Sequence, residues 1–162
     1  MRYERKEDIK REENAIRLFI DVMSDMDKTF IDPTIIKLGN HQIDYMLYLP
    51  NGSRVSVEIK GVKYKNIEDN HTPKVSIMKL TELQKATNME GYEASYIVFA
   101  YENGIKLLNV KNAKGQVAWG GRINPRAGAA NDRELIVTFS SSNFKSSLYG
   151  CENEDWNQEV EI

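Results

Sequence analysis

Apolar side chains at Ile9, Ala15, Ile16, Phe19, Ile20 and Met23 recur at three- and four-residue spacing, which predicts an amphipathic helix from about Arg5 to Met23. The β-branched stretch Thr34 to Leu38, entered through Asp32-Pro33, predicts a first strand. Two alternating runs follow, Gln42 to Leu49 and Arg54 to Lys60, and Pro50-Asn51-Gly52-Ser53 between them predicts a β-hairpin. Lys63 to Pro73 is polar with few apolar anchors and reads as a loop. Thr81 opens a second helix running to about Glu90, where Gly91 closes it. A central strand, Ser95 to Tyr101, turns through Glu102-Asn103-Gly104 into another, Ile105 to Val110. Beyond Lys111 the periodicity weakens: Gly115, Gly120, Gly121, Pro125 and Gly128 punctuate the chain before a strand from Leu135 to Phe139. The predicted class is α/β, with helix, three strands, helix and two strands in order.

The bulk numbers narrow the setting. A chain of 162 residues, 41% apolar, suits one domain with one core. The expected layout is a core over about residues 5–110, an extension over 111–149 and an acidic tail over 150–162. No apolar run approaches the roughly 20 residues that span a bilayer, and the first residues are charged, so no membrane partner is expected and a cytoplasmic setting is the default. The lone Cys151 cannot form an internal disulfide and excludes zinc sites needing two cysteines. The net charge of -2 is unevenly spread, because Gly150 to Ile162 carries five acids and no Lys or Arg. The rest of the chain has 22 basic against 19 acidic residues. Lys60 to Lys85 holds six lysines against Glu68, Asp69 and Glu82, a segment that suits phosphates as well as it suits solvent. Lys63, Lys65, Lys79 and Lys85 are its candidate substrate-binding residues.

Hairpin register decides which side chains meet. A two-residue Asn51-Gly52 loop would pair Asp44 with Ile59 and Tyr45 with Glu58, mixing charged and apolar groups on both faces. With Pro50 second in a type I turn and Gly52 left-handed, the three-residue loop instead sets Leu47 opposite Val55, Tyr45 opposite Val57 and Ile43 opposite Ile59. Asp44 then lies opposite Glu58, Cβ atoms roughly 5 Å apart, with Lys60 one step along the same face. Two facing carboxylates are destabilising unless one is protonated or a cation joins them. Asp44 and Glu58 suit a hard divalent ion, Mg2+ or Mn2+, with Ile59 between Glu58 and Lys60 as a third metal position. Lys60 would orient or deprotonate an attacking water, and the reaction class would be phosphodiester hydrolysis. The bland alternative is a solvent-facing hairpin with ordinary surface charges. Acid-x-Lys also occurs at Glu4-x-Lys6 and Asp8-x-Lys10, so context alone distinguishes Glu58.

Asp44, thirteen intervening residues and then Glu58-Ile59-Lys60 on the second arm of a hairpin resemble the PD-(D/E)xK nuclease superfamily. The resemblance covers about Arg5 to Val110 and implies a restriction endonuclease-like αβββαβ core, a central mixed sheet flanked by helices. It also implies Mg2+-dependent cleavage of nucleic acid, as in restriction enzymes, junction resolvases, repair nucleases and phage nucleases. Ile43 stands where the motif name has proline. Glu12, on the inward face of the first helix, resembles the accessory acid of the family, and Gln84 resembles its second-helix glutamine. Thr81-x-x-Gln84 equally satisfies a capping box.

His41 and His71, thirty positions apart, lack metal-ligand spacing, and Gly115 to Gly121 lacks a nucleotide-phosphate signature. DNA is the favoured substrate. The alternatives are an RNA-directed nuclease with the same site and a non-catalytic nucleic-acid-binding or assembly module. Small size suggests a homodimer or a partner DNA-processing protein.

Overall fold

The computed structural model of the protein describes residues 6–38, 43–62, 66–69, 73–89, 91–113, 115–120 and 134–149. Six strands form a mixed central sheet in the order β1 (Thr34–Lys37), β2 (Tyr45–Tyr48), β3 (Arg54–Gly61), β5 (Tyr92–Ala100), β6 (Gly104–Asn109) and β9 (Phe144–Leu148). Only β3 and β5 run parallel, which requires the chain to cross over between them. That crossover carries the short strand β4 (Lys74–Ser76) and helix α2 (Ile77–Thr87). β4 leaves the main sheet and joins β7 (Gly115–Gly120) and β8 (Glu134–Phe139) in a second sheet ordered β4-β8-β7.

Helix α1 (Lys6–Met26) covers one face of the main sheet. Its Ala15, Ile16, Phe19, Val22 and Met23 pack on Tyr45, Leu47, Val55, Val57, Ile59 and Val98. Phe19 is edge-on to Tyr96 with centroids 5.1 Å apart, so truncating it to alanine would cost about 3–5 kcal/mol. Asp27 ends the helix and caps the next turn by accepting the Thr29 N–H at 3.0 Å. On the opposite face α2 and the small sheet bury Leu80, Leu83, Val75, Val137 and Phe139 on Ile97, Phe99 and Leu108. The alternation of β3 therefore sends Val55, Val57 and Ile59 toward α1, and Ser56, Glu58 and Lys60 toward α2.

The hairpin has the expected turn and register. Leu47 pairs with Val55 and Tyr45 with Val57. Gly52 is left-handed at φ 90° and its N–H donates to the Leu49 carbonyl at 2.9 Å. The expected Ile43–Ile59 pair is not made: β2 begins at Tyr45, and Ile43 packs into the α2-side cluster instead.

The αβββαβ core is present as α1, β1, β2, β3, α2 and β5, the restriction endonuclease-like order. The start of the second helix differs from expectation. Ser76 is the N-cap, its hydroxyl accepting the Lys79 N–H at 3.1 Å, and Thr81 lies inside the helix donating to the Ile77 carbonyl at 2.8 Å. Thr81-x-x-Gln84 is therefore not a capping box. The helix also ends earlier, at Thr87, with Asn88 as its C-cap and the left-handed Gly91 three residues beyond. β4, β7 and β9 were not expected, whereas β8 lies where a strand was read. Among the described residues no helix is long and apolar enough to cross a membrane.

Candidate metal centre and active site

Asp44 sits where β2 stops pairing with β3. Leu38 N–H holds its carbonyl at 2.8 Å, which fixes its backbone to the end of β1. In a continued ladder the Ile59 N–H would donate to the Ile43 carbonyl. Instead the Asp44 carboxylate takes that N–H, Oδ2 accepting it at 2.8 Å, and the residue is only 7% exposed. The same alternation places the Ile59 carbonyl on this edge of β3, beside Asp44.

Glu58 projects from β3 toward α2, and the end of β2 brings Asp44 against it. Its Oε1 is 3.3 Å from the Lys79 ammonium. Its Oε2 is buried, and among the described residues no hydrogen-bond donor reaches it. A carboxylate so placed is poorly solvated, and protonation lets it donate to Asp44. Burial first, then the Asp44 charge, push the Glu58 carboxyl up to about 7, with Lys79 opposing the shift.

The other expected residues are placed as follows. Lys60 is exposed two residues beyond Glu58, and its ammonium donates to the Lys74 carbonyl at 2.7 Å. Glu12 is buried on the sheet side of α1, and its carboxylate pairs with Lys37 at 3.3 Å. Gln84 is exposed on α2, about 140° around the helix from Lys79. Lys85 is exposed on the same helix. Lys63, Lys65, His41, His71 and the acidic tail lie outside the described residues.

Sequence reasoning set Asp44, Glu58 and Lys60 on one face and named Lys79 for substrate, but it missed the Glu58–Lys79 pair. The mistaken helix start hid it, because Lys79 lies in the first turn only when Ser76 is the cap. A second grouping was also missed. Ser56 and Ser95 hydroxyls meet at 2.5 Å and Thr87 reaches Ser95 at 2.6 Å, a buried polar chain that ties β3, β5 and the end of α2 together.

The donor set can be tested against a divalent cation. Among the described residues no group of three or more His, Cys, Asp or Glu side chains could hold a metal ion, so Glu12 does not join the other two acids. A Mg2+-like ion does not need a third carboxylate, since one or two suffice with water and phosphate completing the shell. Buried Oε2 of Glu58, with no donor among the described residues, and the neighbouring Asp44 carboxylate fit such a group.

No protein family profile and no curated protein matches the chain. Among solved structures it is similar to Hjc, a Holliday junction resolvase from the archaeal hyperthermophile Archaeoglobus fulgidus. The TM-score is 0.42 at 12% identity, over 80% of this chain and 85% of that one.

Proposed function

We propose that the protein is a metal-dependent nuclease that hydrolyses phosphodiester bonds in DNA. The observation that carries the reading is the Asp44–Glu58 pair, two neighbouring carboxylates with one buried oxygen that no donor among the described residues reaches. Folding two acids into contact costs stability, and a site that holds a cation between them recovers it.

In this reading Asp44, Glu58 and the Ile59 carbonyl would hold Mg2+ or Mn2+. The ion, when bound, would stabilise charge on the scissile phosphate and lower the pKa of an attacking water. Asp44 is held for this by the Ile59 N–H, which fixes its carboxylate beside Glu58. Lys60 stands on the same face as Glu58 and is exposed, so its ammonium can exchange the Lys74 carbonyl for a phosphate oxygen or the water. Its positive charge would stabilise the transition state. Glu12 acts through Lys37, by fixing the edge strand from which the Asp44 backbone hangs. Gln84 and Lys85 would meet substrate at the exposed side of α2. Cutting both strands of a duplex in a single binding event with one such site per chain would call for two copies or a partner protein.

The test is cleavage of single-stranded, duplex and branched DNA and of RNA, each with Mg2+, Mn2+ or EDTA. Metal-dependent cutting of a DNA substrate is expected. Cleavage of RNA alone would reassign the substrate, and binding without cleavage of any of them would leave a non-catalytic module.

A further inference from the structure

Lys79 occupies an unusual place for a cation. It is the third residue of α2, in the turn whose free N–H groups and helix dipole favour acids. What offsets this is Glu58, whose Oε1 lies 3.3 Å from the Lys79 ammonium. The two members of this pair differ in freedom. Glu58 is fixed on a central strand with its side chain 13% exposed, whereas Lys79 is 29% exposed on a flexible four-carbon stem. Lys79 therefore has more room than Glu58 to change its partner.

We infer that Lys79 is a removable counter-ion, which holds Glu58 while the metal centre is empty and yields that carboxylate when a divalent cation enters. The inference rests on the metal-centre reading above. A divalent ion taken up between Asp44 and Glu58 would stand close to the ammonium, and the two positive charges repel. The carboxylate cannot serve both at full strength. Lys79 therefore competes with the metal in the free protein. Once displaced, its ammonium would remain beside the first turn of α2 as a positive charge close to the site. Lys79 thus links metal entry to the placement of a positive charge for the substrate, acting on the metal through Glu58 as a positioning residue.

The experiment is a calorimetric titration with Mn2+ of EDTA-treated, metal-free protein at fixed pH and ionic strength. It compares wild type with Lys79→Met, Lys79→Gln, Lys79→Arg and Asp44→Asn. Removing the charge in Lys79→Met or Lys79→Gln should tighten Mn2+ binding by about tenfold, the size of a nearby like-charge repulsion in a solvated site. Lys79→Arg should stay within about threefold of wild type, because it keeps the charge. Two neutral variants guard against one that fails to fold. If Mn2+ binds wild type and is lost in Asp44→Asn, yet the neutral variants bind no more tightly, the counter-ion inference is overturned and the metal centre stands. If neither wild type nor the neutral variants bind Mn2+, the metal centre and the inference fall together.

Discussion

The Asp44 carboxylate accepts the backbone N–H of Ile59 at 2.8 Å, in place of the main-chain carbonyl that a continued hairpin would supply. One side chain thereby ends the β2–β3 ladder, turns Ile43 to the other face of the sheet and delivers an acid to Glu58. Structure and chemistry are coupled at this residue, and its substitutions should separate them.

Asp44→Ala leaves the buried Ile59 N–H without its acceptor and should lower stability by about 1–3 kcal/mol. Asp44→Asn keeps an acceptor oxygen and removes the charge opposing Glu58, so the metal-free protein should be close to wild type or better. Urea denaturation midpoints in EDTA measure both. Equal losses in the two variants would mean that the hydrogen bond is not what fixes the strand end.

Glu58 has its folded pKa raised from 4.5 to about 7, so the folded state binds its proton more tightly than the unfolded chain. Stability from this group is full below about 4.5 and is lost as pH rises toward 7, by an amount on the order of 3 kcal/mol. In EDTA, wild type should therefore weaken between pH 5 and pH 7.5 relative to Glu58→Gln. Saturating Mn2+ should remove this loss, since the bound cation favours the ionised carboxylate. Parallel curves for wild type and Glu58→Gln in EDTA would contradict the assignment.

Ser76→Ala should cost about 1 kcal/mol by removing the cap of α2. Thr81→Ala should stay within about 0.5 kcal/mol, because Thr81 sits inside the helix and is exposed. Thermal unfolding of the two variants distinguishes the true cap from the residue whose sequence context imitates one.

The hairpin register was legible because Pro50-Asn51-Gly52 dictates one turn and a one-residue slip would invert every face. α1 was legible from its apolar spacing alone. The departure of Ile43 was not, since alternation continues through it and only the choice made by the Asp44 side chain breaks the ladder. Ser76 was hidden because it ends β4 as well as capping α2, so no loop announces the helix. β7 and β9 were missed for another reason. The first is glycine-flanked with exposed Val117 and Trp119, and the second reads Phe-Lys-Ser-Ser-Leu, so neither shows a buried alternation. The Glu58–Lys79 contact joins residues distant in sequence and depends on where α2 docks, which no local pattern encodes.

The most direct test of the account is cleavage of the best DNA substrate under single-turnover conditions, with enzyme in excess and Mg2+ at saturation. It compares wild type with Asp44→Asn, whose fold should be preserved. The account predicts that wild type cuts, that EDTA stops it and that Asp44→Asn loses at least about 100-fold in rate, the scale of removing a main source of transition-state charge stabilisation. Cleavage by Asp44→Asn at the wild-type rate, or wild-type cleavage unaffected by EDTA, would contradict it.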